Sequence, residues 1–225
     1  MTESQFHALA AQGYNLIPLT LETLADLDTP LSAYVKLADQ PFSYLLESVQ
    51  GGERFGRYSF IGLSAATRIY VFGHRLQVVT GDFVAEEREE KDPLAFVDAF
   101  LQRFKVAEVP GLPRFCGGLV GYFSYDTIRY VEPHLAATVR PDPLKVPDVL
   151  LLLSTELVVL DNLSGKLNLI VYADPRVPNS YAVAQARLQQ LRERLRLHAT
   201  AASSRVSGPV EPKSEFGEQA FKDAV

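Results

Sequence analysis

Residues 148–172 read DVLLLLSTELVVLDNLSGKLNLIVY. Three apolar runs lie inside this stretch, Asp148 to Leu153, Glu156 to Leu160 and Lys166 to Tyr172, each short and bounded by polar residues. Runs of that length, rich in Val, Leu and Ile, are buried strands. Asn162 to Gly165 places Asn, Ser and Gly between the last two runs, which predicts a hairpin and therefore antiparallel pairing. The apolar character breaks at Thr155 and Glu156, so the stretch is far too short to span a membrane.

Working outward, the segments Phe42 to Val49, Arg57 to Gly62 and Thr67 to Phe72 have strand composition, aromatic and branched residues separated by glycine or polar turns. Gly73-His74 leads from Thr67–Phe72 into Leu76 to Val79 as a second hairpin. A strand is also predicted near Leu16 to Leu19. Helices announce themselves by their starts. Thr29-Pro30 and Asp92-Pro93 each set a capping oxygen before a proline suited to the first helical turn. Behind them Leu31, Tyr34, Val35 and Ala38 share one face, and Phe96, Phe100 and Phe104 recur four residues apart as core. Phe6, Leu9 and Ala10 mark a short opening helix closed by Gly13, and Val183, Leu188, Leu191 and Leu195 mark a long amphipathic helix over 181–197. Hairpin signals outnumber alternating strand-helix units, which makes the fold class α+β, with mostly antiparallel sheet layers flanked by helices.

The boundaries follow from composition. Residues 1–198 form one folded unit. Residues 199–213 carry AASS, Gly208-Pro209 and Glu211-Pro212 with almost no large apolar side chains, which predicts a flexible linker. Residues 214–225 open a new helical pattern through Phe216, Ala220, Phe221, Ala224 and Val225, read as the start of a second, truncated domain.

Composition excludes several classes of function. A net charge of −5 gives no extended positive field for phosphate backbones, so no nucleic acid is expected as a partner. The single Cys116 cannot form an internal disulfide, and His7, His74, His134 and His198 are too scattered to surround a metal ion. The amino terminus lacks a basic start and apolar run, which points to the cytoplasm and away from export or a membrane. No glycine-rich phosphate loop, nucleophile elbow, paired-histidine helix or cysteine pair occurs, so no catalytic residue is assigned.

Two segments carry candidate chemistry. Tyr44-Leu45-Leu46-Glu47-Ser48 ends an apolar strand with adjacent carboxylate and hydroxyl groups before Gly51-Gly52. A carboxylate pairs with an ammonium, and a hydroxyl holds an ammonium or a carboxylate, the two ends of an amino acid. Arg57 and Tyr58, one loop later, supply an opposite charge and an aromatic wall. The structural alternative is a turn cap at Glu47 and Ser48, with Arg57 paired to Glu53. In the second segment, Gly117 to Asp126, glycines along a strand imply close backbone approach, and Asp126 is expected to cap the next short helix.

Residues 45–62, LLESVQGGERFGRYSFIG, closely resemble the amino-terminal signature of anthranilate synthase component I. The resemblance continues in order through Thr29-Pro30-Leu31-Ser32, Gly111-Leu112-Pro113-Arg114-Phe115, Gly117 to Asp126 and Asp161-Asn162-Leu163. It implies an enzyme converting chorismate and ammonia to anthranilate and pyruvate in tryptophan biosynthesis, with ammonia delivered by a glutamine amidotransferase partner. It also implies feedback inhibition by L-tryptophan at a site including Leu46, Glu47 and Ser48, with Arg57 and Tyr58 alongside. The family's chorismate-binding and magnesium-binding residues have no matching positions here, so this part alone is expected to be inactive and to hold no cofactor, Mg2+ belonging to the other half. Two further readings are the large component of aminodeoxychorismate synthase, which shares substrate and ammonia chemistry, and a non-catalytic amino-acid-binding regulatory module.

Overall fold

The computed structural model describes residues 1–47, 56–132, 134–135, 142, 144–199, 208, 211, 214 and 216–225. The fold is α+β, built on two five-stranded sheets in which every strand pair is antiparallel. The first sheet has the order β1 (Ile17–Leu24), β10 (Lys166–Ala173), β9 (Glu156–Asp161), β3 (Tyr58–Gly62) and β2 (Tyr44–Leu46). The second runs β6 (Phe83–Glu89), β5 (Arg75–Thr80), β4 (Thr67–Phe72), β8 (Val149–Ser154) and β7 (Gly118–Phe123).

The stretch 148–172 divides between the two sheets. β8 lies between β4 and β7, and after Thr155 alone the chain enters β9 at the centre of the other sheet. The polar break at Thr155-Glu156 is this crossing, stitched by hydrogen bonds from Leu63 N to Glu156 O (3.0 Å) and from Tyr172 N to Thr155 O (2.9 Å). β9 and β10 close the predicted hairpin, with Gly165 in the left-handed region at φ 65° and its amide donating to Asp161 O.

Helices cover one face of each sheet. On the first, Ile61, Val158, Leu160, Leu167 and Leu169 pack against α1 (Glu3–Ala11), α2 (Pro30–Leu37) and a long helix at Ser180–Leu195. The buried stripe of that long helix is Ala184, Leu188, Leu191 and Leu195, whereas Val183 is largely exposed, one residue away from the stripe expected. The other face of the first sheet is also apolar, with Leu157, Val159 and Ile170 buried beneath Leu112, Phe115 and Cys116. Burial on both faces explains why β9 and β10 read as nearly continuous apolar runs. On the second sheet, α3 (Pro93–Leu101) sets Phe96 and Phe100 against Ile69, Val71, Val149 and Leu151, with Phe104 at the margin.

The expected caps are present. Thr29 and Ser32 form a reciprocal capping box, and the Asp92 carboxylate accepts from Leu94 N and Ala95 N. Asp126 does not cap; it pairs with Arg129 at 2.7 Å beside α4 (Ile128–Val131). β2 is shorter than the predicted 42–49, positions 48 and 49 lying outside the described residues, while β1 is longer because it pairs with β10 along its whole length. β6 carries no apolar alternation and was not predicted; it is an edge strand exposed on both faces. Most of the expected linker, 199–213, lies outside the described residues. The expected terminal helix is Glu218–Ala224, with every residue exposed. Among the described residues no helix is long and apolar enough to cross a membrane.

Two measurements check this framework. A Cβ at Gly121 would stand 1.9 Å from Leu150 O, so the backbone itself must shift. Gly121→Ala should cost about 2 kcal/mol or more of stability, read as a lowered denaturant midpoint. Across the first sheet, Arg57 and hydrogen bonds from the turn hold the Asp161 carboxyl at a pKa of about 2, below its ordinary 3.8. A depressed carboxylate stabilises the fold above its unfolded pKa, and that contribution fades as pH falls from about 4 toward 2. Between pH 6 and pH 3 the wild-type urea midpoint should therefore drop further than that of Asp161→Asn; equal drops would contradict the assignment.

Candidate functional site

The register of β2 on β3 brings the candidate residues to one edge of the first sheet. Tyr44 pairs with Gly62, Leu45 with Ile61 and Leu46 with Phe60. Side chains directly opposite share a face, so Tyr44, Leu46 and Phe60 stand together, joined by Tyr58 two residues before Phe60. β9 continues that face, Val159 opposite Phe60 and Asp161 opposite Tyr58. The result is an aromatic and aliphatic floor with a charged margin.

The floor is held rigidly. Gly62 leaves room for the Tyr44 ring, since a Cβ there would lie 1.9 Å from Tyr44 Cε1. The Tyr44 hydroxyl meets Ser154 Oγ at 2.7 Å, and burial pushes its pKa up. Phe60 stacks edge-on against Phe115, with centroids 5.1 Å apart, and Tyr58 lies 6.1 Å from Phe60. Tyr172 closes the far side, its hydroxyl donating to Cys116 O at 3.0 Å.

At the margin, Leu46 is 45% exposed and Glu47 follows it, exposed at the strand end. Ser48 and Glu53 lie outside the described residues, as do Gly51 and Gly52. Arg57 pairs with Asp161: Nε donates to Oδ1 at 3.0 Å and Nη2 to Oδ2 at 2.7 Å. The Asp161 hydrogen bond raises the Arg57 pKa, and the guanidinium lies 4.9 Å from the Tyr58 ring centroid. Leu46 ends β2 and Tyr58 begins the neighbouring β3, with Glu47 and Arg57 the residues just beyond those strand ends. Asp161, Phe60 and Tyr44 also build the place and were not singled out for it. Their signal was the Asp-Asn turn and the alternation of 57–62, but only the pairing of β3 with β9 makes them neighbours.

The chemistry available is recognition. Apolar side chains beside a paired guanidinium and carboxylate offer van der Waals and charged contacts. Among the described residues no three His, Cys, Asp or Glu side chains group to hold a metal ion. Elsewhere, a cavity of about 550 Å³ is lined by Asp26, Asp28, Lys36, Arg192 and Arg196, and another of about 450 Å³ by Gln5, Leu9, Glu108 and Val109. Neither is lined by Leu46, Glu47, Arg57 or Tyr58.

In the second glycine-rich segment, Gly117 sits under Tyr172 and Gly121 against the β8 backbone, so the expected close approach is present. Tyr122 and Tyr125 face outward, Tyr125 93% exposed.

No protein-family model matches the chain. It is similar to a Pseudomonas putida protein named anthranilate synthase component 1, 54% identical over 217 residues, 96% of this chain and 44% of that one. Proteins of the same name from Pseudomonas aeruginosa (57% identical; 87% of this chain, 40% of the relative) and Neisseria meningitidis serogroup B (51%; 100% and 46%) agree. Among solved structures, anthranilate synthase component I from Streptococcus pneumoniae TIGR4 superposes with a TM-score of 0.51 at 25% identity, covering 79% of this chain and 37% of that one. At 51–57% identity over nearly all of its residues, this chain belongs to the anthranilate synthase component 1 family, and it spans a little under half the length of those relatives.

Proposed function

We propose that this chain is the regulatory, tryptophan-binding portion of an enzyme that converts chorismate and ammonia to anthranilate and pyruvate. The observation that carries the reading is the pairing of β2 on β3, which sets Leu46 opposite Phe60 with Glu47 and the stacked Arg57 and Tyr58 at the strand ends, in a chain 51–57% identical to proteins named anthranilate synthase component 1. In this reading Glu47 pairs with the ligand ammonium, Ser48 adds a hydroxyl, Leu46 and Tyr58 bracket the indole, and Arg57 attracts the carboxylate. Residues 1–198 form the binding domain, 199–213 link it, and 214–225 begin the chorismate-using part.

Among the described residues no three His, Cys, Asp or Glu side chains group to hold Mg2+, and the resemblance assigns that ion to the other half of the protein. Ammonia comes from a glutamine amidotransferase partner. One edge of the second sheet supports an interface with the rest of such a protein: Phe123, Tyr125, Ile128 and Val131 follow one another along β7 and α4, and all are exposed.

Calorimetric titration of L-tryptophan into a full-length protein carrying this chain tests the site. Ser48→Ala should weaken binding, and Ser48→Phe should abolish it and relieve inhibition. Parallel loss of turnover would move Ser48 out of a purely regulatory role, and absence of tryptophan binding by the wild type would favour the aminodeoxychorismate reading. The 225-residue chain alone should bind a dye specific for exposed apolar surface, and Tyr125→Ser with Phe123→Ser should reduce the signal. A monodisperse monomer that leaves the dye dark counts against the exposed interface.

A further inference from the structure

Asp161 is committed to partners within the fold. Its side chain is only 10% exposed. Its carboxylate takes Arg57 Nε (3.0 Å), Arg57 Nη2 (2.7 Å), Leu163 N (3.1 Å) and Ser164 N (3.4 Å). Three of these donors converge on Oδ1 and Arg57 Nη2 takes Oδ2, so the bonds of this largely buried carboxylate run to Arg57 and to its own turn.

The next residue performs the matching task on the backbone. Asn162 N donates to Arg57 O at 2.8 Å, and Asn162 Nδ2 donates to Gly56 O and Ser59 Oγ, both at 3.2 Å. Two consecutive turn residues therefore hold Gly56 to Ser59 from both directions, side chain to side chain and amide to carbonyl. Tyr58 lies directly opposite Asp161 in the ladder, so the same clamp fixes where its ring stands.

The fork also decides which edge of Arg57 is on offer. The pair uses Nε and Nη2, leaving the Nη1 edge of the guanidinium outside it, and the plane is held 4.9 Å from the Tyr58 centroid. An arginine on a flexible stem must be ordered by its ligand; one already held bidentately presents its remaining edge in advance.

We infer that Asp161 and Asn162, in the turn between β9 and β10, are positioning residues of the amino-acid site, presetting the Arg57 guanidinium and the Tyr58 ring that receive the ligand. The inference rests on the regulatory reading above and extends it to residues that make no ligand contact themselves.

The test is calorimetric titration of L-tryptophan into the full-length protein carrying this chain, as wild type, Asp161→Asn, Asp161→Glu, Arg57→Met and the Asp161→Asn, Arg57→Met double variant. Thermal midpoints are read on the same samples. Leu188→Ala, buried in the opposite helix-covered face, serves as a destabilised control. Asp161→Asn should weaken tryptophan about tenfold, Asp161→Glu should recover part of that loss, and the double variant should bind no more weakly than Arg57→Met alone. Unshifted affinity in Asp161→Asn overturns the positioning role, as does a double variant whose loss is the product of the two singles. Affinity that merely follows the thermal midpoint, with Leu188→Ala losing as much as Asp161→Asn, makes the role structural and overturns it too. A wild type that gives no binding heat removes the regulatory reading and this inference with it, an outcome distinct from a wild type that binds while Asp161→Asn binds equally well.

Discussion

The structure depends on a single unbroken piece of backbone, residues 149–161, that is an interior strand in both sheets. As β8 it is bonded on both sides by β4 and β7; one residue later, as β9, it is bonded on both sides by β10 and β3. An interior strand bonds its amides and carbonyls alternately to both neighbours, so neither sheet can assemble without this stretch, and neither can slip in register without dragging the other. The apolar side chains of β9 are buried on both faces.

The site inherits its geometry from that constraint. β3 is fixed against the centre of the first sheet by β9, and β2 is the short final strand laid on its other side. A three-residue strand makes few ladder bonds, so its position must come from elsewhere: the Tyr44 ring over Gly62, the Tyr44 hydroxyl on Ser154 and the packing of Leu45. The charged rim is governed similarly. Asp161 is at once the last residue of β9, the acceptor that begins the hairpin turn and the partner of Arg57.

Much of this was legible in the sequence because the signals were local. Thr29-Pro30 and Asp92-Pro93 cap helices where their chemistry says they must, and Asn162 to Gly165 turns where expected. The strand ends at Leu46 and Tyr58 were also local signals. What was not legible was non-local. Pairing of β3 with β9 joins residues about a hundred positions apart, and nothing in either segment names the other; with it went Asp161 as the partner of Arg57. β6 was missed for a different reason. An edge strand exposed on both faces needs no alternation, and Glu86 and Glu87 are there to pair with Arg103 and Arg75, not to face a core. Val183 was misjudged by one position because Ala184, small enough to let the helix approach the sheet, gives a weak apolar signal.

Tyr44 and Gly62 show what such coupling means for how the chain can vary. The ring fills the space that a side chain at 62 would need, and its hydroxyl reaches the last residue of β8 in the second sheet. Any residue larger than glycine at 62 must evict the ring, and any smaller residue at 44 gives up the tie to Ser154. Neither position is free to drift by itself, so descendants of this sequence should keep both or exchange both together. The seam between the sheets would then be inherited as a unit along with the short strand β2.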